Sequence, residues 1–222
     1  MAEMNLVTGY VGKEHVTSAD AGMQNAAIIG SGQFVVEIGG MLAANVITSN
    51  KILIQDGVLM MQGRLARINP GETVELTIEN GETGYKRNDL IVARYEKDAS
   101  TGVETMELAV IKGAPTTGIA ADPLYTIGDI INDVDVINEM PLFRIPLDGL
   151  TVQSPVQLYD VFQGTAAHVM NQSNPHGVTA TQIGAAEAAH FHRLDDLSNV
   201  HICGTTPSEV KDGDWYFVKS SS

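Results

Sequence analysis

The sequence has little of what would place a protein in an oxidising compartment or in a membrane. Its 222 residues include one cysteine, Cys203, so no disulfide can form within the chain. The first 15 residues lack a basic segment followed by an apolar run. No apolar run approaches the roughly 20 residues that span a bilayer. We therefore expect a protein made in the cytoplasm, without a standard secretion signal and without membrane insertion.

Positive charge and aromatic residues are also scarce. The chain has 13 lysines and arginines against 27 aspartates and glutamates, which leaves a formal net charge of −14. This acidic field repels phosphate backbones, so the composition argues against nucleic acid as a partner. Aromatic residues make up only 5% of the chain, whereas 22 residues are glycine and β-branched residues are frequent. This balance favours strands and turns.

Short apolar runs separated by turn residues predict an all-β fold for residues 33–151. The run Thr73–Glu79 alternates apolar and polar residues, as expected of a half-buried strand. Asp56-Gly57 predicts a hairpin turn, and Gly63 predicts a bulge or a close approach of another backbone. Strands of about five to seven residues that recur without helices predict a β-sandwich or barrel. The predicted strands are 34–38, 42–48, 51–55, 58–62, 65–68, 73–79, 89–95, 104–112 and 141–147.

The remaining segments have weaker patterns. Residues 1–33 predict an irregular arm with one or two short strands, and residues 113–129 predict a long loop. Prolines in the last strand, 141–147, predict an edge position. Val156–Phe162 predicts a short helix, after which the composition shifts to Ala, Gly, Gln and His. We therefore predict a β-rich domain over 1–151, a helical or linker segment over 152–173, and a fibre-like stalk with a C-terminal cap over 174–222.

Four segments follow one another in the first 150 residues: VTGYVGKEHVTSADAG, ILIQDGVLMMQGRLARI, GYKRNDLIVARYEKD and MPLFRIPLDGL. They resemble the N-terminal module of phage and prophage baseplate or tail-fibre proteins. NPHGVTATQIGAA, followed by HFH, resembles the short repeats of phage tail fibres. Together the segments cover about residues 4–192. The resemblance implies a virion structural protein, with a β-rich domain that docks on other baseplate proteins and a homotrimeric stalk that takes part in host attachment.

Residues 174–200 are poor in large apolar side chains, yet five of the six histidines lie between His168 and His201. One chain cannot build a core from such a segment, so we expect two further copies to order it. His190 and His192 are two residues apart, so in an extended strand their side chains share a face. Three strands would present six imidazoles, which suits an octahedral iron or nickel ion. The alternative is that these are solvated linker histidines.

The segment Trp215-Tyr216-Phe217-Val218 is the densest aromatic cluster of the chain. After a turn at 211–214 it predicts a final hairpin that packs three chains together. The alternative is a glycan-binding adhesin, in which Trp215 and Tyr216 stack on host sugar. A depolymerase subunit would need a carboxylate pair in a groove, and the sequence suggests none. No nucleophile stands in a recognisable catalytic motif, so we expect a protein that is not an enzyme.

The paired histidines give a prediction about metal content. If each chain supplies two of six ligands, the purified protein carries iron or nickel, and a His190→Ala/His192→Ala variant loses it. Elemental analysis of the two proteins measures this directly. A metal content that is low in the wild type, or unchanged in the variant, contradicts the hypothesis.

Overall fold

A computed structural model describes residues 16–164, 178–179, 181–182, 200–203, 206–209 and 215–218. The chain divides into two compact units, Met1–Met170 and Asn171–Ser222. Strands dominate the described residues, which contain one short helix, so the predicted all-β class is confirmed. Within those residues no helix is both long and apolar enough to cross a membrane.

The described part of the first unit contains one helix and twelve strands. In chain order they are α1 (Ser18–Ile29), β1 (Gln33–Val36), β2 (Ala44–Thr48), β3 (Lys51–Ile54), β4 (Gly57–Met61), β5 (Arg64–Ile68), β6 (Val74–Thr77), β7 (Lys86–Lys97), β8 (Glu104–Ile111), β9 (Ile137–Asp148), β10 (Thr151–Val152), β11 (Val156–Gln157) and β12 (Val161–Phe162). The sheets have the orders β12-β1-β4-β5, β2-β3-β6 and β10-β9-β7-β8, and β11 also pairs with β9. All three sheets contribute to one core, which makes the unit a sandwich or half-barrel.

The long strands β7 and β9 lie at the centre of the largest sheet. Their antiparallel ladder extends from Lys86 opposite Asp148 to Glu96 opposite Ile137. Successive side chains of a strand point to opposite faces. Every second residue of β7, such as Ile91, therefore faces the core, and the residues between them face outwards.

The predicted hairpin at Asp56-Gly57 is wrong. Strand β3 pairs with β2 and β6, whereas β4 pairs with β1 and β5, so these two residues carry the chain from one sheet to another. The Asp56 carboxylate accepts hydrogen bonds from the backbone N–H groups of Gly40 and Gly71, at 3.0 and 3.2 Å. A Cβ atom at Gly57 would lie 2.6 Å from the backbone N of Leu42. Glycine is required here by the close approach of the turn at Leu42 rather than by a hairpin.

Residues 18–29 form α1, so the predicted arm with short strands is wrong over these residues; residues 1–15 lie outside the described part. The helix begins with a capping box, in which the Thr17 hydroxyl accepts from the Asp20 N–H and the Asp20 carboxylate accepts from the Thr17 N–H. This pattern satisfies two backbone donors that a helix start otherwise leaves unpaired. The sequence carries this pattern as Thr17-Ser18-Ala19-Asp20, a local signal for the start of a helix.

The predicted helix at Val156–Phe162 is also wrong, because these residues form β11 and β12. Strand β11 pairs with β9, and β12 pairs in parallel with β1. Between them the buried Tyr159 donates a hydrogen bond to the backbone O of Met41, at 2.7 Å. Hydrogen bonding to the edges of two sheets thus outweighs the weak local preference of these residues for a helix. The first unit continues to Met170, beyond residue 151, where the sequence placed the end of the β-rich domain.

Strand β9 is not the edge strand that its prolines predicted. It lies between β7 on one side and the short strands β10 and β11 on the other. Pro141 stands opposite Val92, where the register between β7 and β9 shifts. A bulge tolerates proline within a sheet because the ladder is interrupted there.

The close approach predicted at Gly63 is confirmed. A Cβ atom at this position would lie 2.0 Å from the backbone O of Gly22 in α1. Asn25, one turn further along the helix, donates its amide N–H to the Gly63 carbonyl at 2.9 Å. The turn between β4 and β5 therefore packs directly against α1 and holds the helix on the sheet.

We predict that Gly63→Ala destabilises the protein more than Gly71→Ala does. Both glycines have positive φ, +83° and +77°, but a Cβ atom at Gly71 meets nothing within 4 Å. The control should lose about 1–2 kcal/mol from left-handed strain alone, and Gly63→Ala a further 1–3 kcal/mol, roughly, because α1 must move. Thermal unfolding followed by circular dichroism measures both. Equal losses would mean that the helix contact contributes nothing.

Candidate interaction surface

The described residues contain no group of three or more His, Cys, Asp or Glu side chains that could hold a metal ion. His190 and His192, the predicted metal ligands, lie outside those residues, so the hypothesis stays a prediction.

The most distinctive surface of the first unit is instead the loop between β8 and β9. We call residues 113–128 of it the anchored loop.

The anchored loop displays three large aliphatic side chains to solvent. Ile119 is 98% exposed, Leu124 is 94% exposed and Ile127 is 75% exposed. Single exposed apolar residues are ordinary, but several on one short segment make it a candidate for a surface that another protein covers. The sequence predicted a loop at 113–129 but did not indicate its role.

The loop begins with tight backbone contacts to β7. The Gly113 N–H donates to the buried Asp89 carboxylate at 2.9 Å, and a Cβ atom at Gly113 would lie 2.0 Å from the Asn88 carbonyl oxygen. Thr116 and Lys86 then exchange two backbone hydrogen bonds, of 2.7 and 2.8 Å. The first four residues of the loop are therefore held against the sheet.

The middle of the loop is fixed by Asp122. Arg144 on β9 donates two hydrogen bonds to this carboxylate, one of them 2.6 Å long. These bonds hold the pKa of the Asp122 carboxyl below its usual value and raise the pKa of the Arg144 guanidinium. The Asn88 amide of β7 donates to Asp122 at 2.9 Å and to the Ala120 carbonyl at 3.1 Å. Side chains from two strands, β7 and β9, thus hold the centre of the loop in place.

The end of the loop is fixed by Glu139, which is almost fully buried on β9. Its carboxylate accepts from the Thr126 N–H at 2.6 Å and from Arg94 at 2.7 Å, and its own N–H donates to the Thr126 carbonyl at 2.8 Å. Burial alone would raise the pKa of the Glu139 carboxyl. The hydrogen bonds from Thr126 and Arg94 outweigh burial, so the pKa is lowered.

The last residue of the loop is held by two side-chain amides. Asn138 accepts from the Gly128 N–H at 2.9 Å, and Gln62 donates to the Gly128 carbonyl at 2.7 Å. Gln62 also accepts from the N–H groups of Ile130 and Ile131, at 3.0 and 3.2 Å. Polar contacts therefore hold the loop at its start, its middle and its end.

Order is what makes the exposed aliphatic side chains suitable for binding. Asn88, Arg144 and Glu139 all project from the outer face of the β7–β9 ladder, the face on which the fully buried Leu90 and Val92 also lie. A segment that is already fixed loses little conformational entropy when a partner covers it. The anchored loop thus presents apolar side chains on a preorganised support.

The second unit contains a small sheet of β13 (Val200–Cys203) and β14 (Trp215–Val218). The two strands are parallel, so the predicted hairpin is wrong, since parallel strands need a longer connection than a tight turn. Trp215 and Phe217 are 65% and 55% exposed, whereas Tyr216 is half-buried and stacks on His201 with ring centroids 4.6 Å apart. The exposed aromatic pair is therefore Trp215 with Phe217, which strand alternation could have indicated.

A cavity of about 470 Å³ lies between α1, β5 and β8. Arg64 in its wall is 6% exposed and pairs with Glu104 at 3.4 Å, while its Nε and Nη1 atoms have no hydrogen-bond partner in the protein. Burial, together with the negative charge of Glu104, raises the pKa of Tyr95 to about 12. A phenol with so high a pKa stays protonated near neutral pH and is poorly suited to act as a base.

Comparison with known proteins yields no family: no family profile matches the chain, and no curated protein matches it. The resemblance to phage baseplate and tail-fibre proteins therefore stays a prediction based on the quoted segments. Function has to be inferred from the surfaces of the molecule.

We predict that Asp122→Asn loosens the anchored loop and lowers stability by about 1 kcal/mol, the range for a bidentate pair that is partly exposed. Because the folded pKa is lowered, this contribution is complete above the ordinary aspartate pKa of about 3.9 and is lost as the pH falls through the folded value. Thermal unfolding at neutral pH and near pH 3, with hydrogen exchange of residues 117–125, measures both effects.

The matched control is Asp148→Asn. Asp148 pairs with Lys86 at 3.6 Å, and both side chains are more than half exposed. Such a pair contributes little to stability, so this variant should unfold like the wild type and leave exchange in the loop unchanged. If both variants behave alike, Asp122 does not anchor the loop.

Proposed function

We propose that this chain is a structural component of a phage tail tip, baseplate or short tail fibre, which docks on neighbouring tail proteins and takes part in host attachment. The observation that carries the proposal is the anchored loop. Its aliphatic side chains Ile119 and Leu124 are almost fully exposed although the loop is fixed by polar contacts. Such a surface suits protein docking, and the ordered run of segments that resemble tail proteins supplies the biological setting.

The proposed mechanism is mechanical. The β-rich unit anchors to neighbouring proteins, and the C-terminal unit associates as a homotrimer. A two-stranded sheet of four-residue strands, such as β13–β14, is marginal by itself in water. Further copies of the chain would bury its exposed Trp215 and Phe217. The iron or nickel site of His190 and His192 belongs to the same proposal.

We predict that the full-length protein has three times the chain mass of 23.7 kDa in solution. Light scattering measures this, and antibodies against the chain should label the tail tip of particles produced by its host strain. A monomeric mass contradicts the homotrimer. Absence of the chain from purified particles contradicts the virion role, whatever the mass.

The alternative function is a glycan-binding adhesin that contacts the host surface. The observation in its favour is that Trp215 and Phe217 lie two residues apart on β14 and are both more than half exposed. Two aromatic side chains on one face of a strand offer a platform on which a sugar ring can stack. Glycan-array binding that disappears in Trp215→Ala, at unchanged mass, would favour the adhesin. Binding to no glycan would count against it.

A further inference from the structure

A groove runs between the edges of two sheets in the first unit. Strands β5 and β8 each stand last in their sheet. Between them lies a cavity of about 320 Å³, and the cavity of about 470 Å³ described above adjoins it, because Ala66 and Met106 line both. Together the two cavities follow β5 over residues 64–68 and β8 over residues 104–108, and we call them the edge groove.

The edge groove is bordered by backbone that has no partner strand. Among the residues that the structure describes, β5 pairs only with β4, and β8 pairs only with β7. Every second residue of an antiparallel edge strand directs its N–H and C=O groups away from its partner. Strand β8 has eight residues, contains neither proline nor lysine, and pairs with β7 without a bulge. Such an edge is a template for an added strand.

The smaller cavity can accept an apolar side chain. It is lined by Ala66 and Ile68 of β5, Val74 of β6 and Leu108 of β8. A strand points every second side chain to the same face, so a strand added to β8 would direct one of its side chains into this cavity. Backbone hydrogen bonds combined with a pocket for alternate side chains are typical of strand addition.

The rim of the groove carries an unpaired positive charge. Nine lysines and arginines lie in the part of the chain that the structure describes, and eight of them form ion pairs. The ninth is Arg67, which is exposed and lines the smaller cavity. An unpaired guanidinium favours a carboxylate as its ligand. Glu107 lines the same cavity from β8, so the favourable position for a carboxylate is on the β5 side.

A second guanidinium, that of Arg64, lies in the wall of the larger cavity. Its Nε and Nη1 atoms are buried and have no hydrogen-bond partner among the residues that the structure describes. A carbonyl oxygen in the groove would give one of them an acceptor after a small rotation of the side chain. A polypeptide offers a carbonyl at every residue, whereas a fatty acid offers only its terminal carboxylate. The wall therefore favours a peptide over a small apolar acid.

We propose that the edge groove binds an extended segment of another polypeptide, which adds as a strand to β8. The segment places an apolar side chain in the smaller cavity and a carboxylate beside Arg67. Strand β5 has five residues, so about five residues of the segment contact the groove. The edge groove contains no residue of the anchored loop, so this site is separate from the docking surface of the proposed function and does not depend on that function.

A phage-displayed library of random heptapeptides, selected against the full-length protein, supplies the probe. Enriched peptides should share apolar residues at alternate positions beside an acidic residue. One of them, made with a fluorescent label, gives a Kd by fluorescence anisotropy. Methylation of its backbone nitrogens tests strand addition, because only every second N–H group points to β8. One alternate set of methyl groups should abolish binding, and the other set should leave it nearly unchanged.

Variants of the protein place the peptide in the groove. Arg67→Ala should weaken binding about threefold, the effect of an exposed ion pair. Ala66→Leu enlarges a side chain that lines both cavities and should weaken binding about tenfold. The matched control is Lys86→Ala, which removes an exposed cation at the start of β7, outside the groove, and should leave the Kd unchanged. Thermal unfolding checks each variant. If Ala66→Leu unfolds, Arg67→Ala and the methylated peptides still decide.

Several results would overturn the proposal. They are the absence of any enriched peptide, an equal effect of the two methylation sets, and wild-type affinity in both Arg67→Ala and Ala66→Leu. Displacement of the peptide by decanoate at similar concentration would assign the groove to small apolar acids instead. A solution mass that falls in Ala66→Leu would assign it to a second copy of the chain. Absence of the chain from purified particles bears on the proposed function alone.

Discussion

The antiparallel ladder between β7 and β9 is the constraint on which the rest of the structure depends. Both strands have twelve residues, and their shared register sets which side chains face the core and which face outwards. The inner face, with Ile91 and Phe143, packs against the other two sheets. The outer face carries Arg144 and Glu139, which fix the anchored loop. A shift of one residue would exchange the two faces and remove both the core and the loop support.

Buried polar groups join this ladder to its surroundings, and most of them are satisfied. Asp89 is fully buried, receives two hydrogen bonds from Arg87 and one from the Gly113 N–H, and so ties β7 to the start of the loop. Desolvation offsets much of the attraction in such a pair, but removal of one partner would leave an uncompensated buried charge. Among the residues that the structure describes, Arg64 is the exception, with two buried nitrogen atoms that lack partners. The buried polar groups next to α1 are thus less completely hydrogen-bonded than the groups that fix the anchored loop.

The candidate surface could be predicted only in outline. Proline, glycine and threonine in residues 113–129 indicate a loop, but they do not indicate that it is fixed. The groups that fix it, Asn88, Arg144 and Glu139, come from strands up to 34 residues away in the chain. No local pattern connects Asp122 with Arg144, because their pairing follows from the register of β9. Exposure of Leu124 is likewise a property of the folded loop, since leucine alone predicts burial.

By itself, the sequence determined the β class and the approximate position of nearly every long strand. Alternation of apolar and polar residues is a local property, so runs such as Thr73–Glu79 identify strands before any partner is known. Only the tertiary structure decided which strands pair. It made Asp56-Gly57 a crossover instead of a hairpin and Val156–Phe162 a pair of strands instead of a helix. The physical reason is that hydrogen bonds between strands depend on distant partners, and their gain exceeds the small preferences of a short segment.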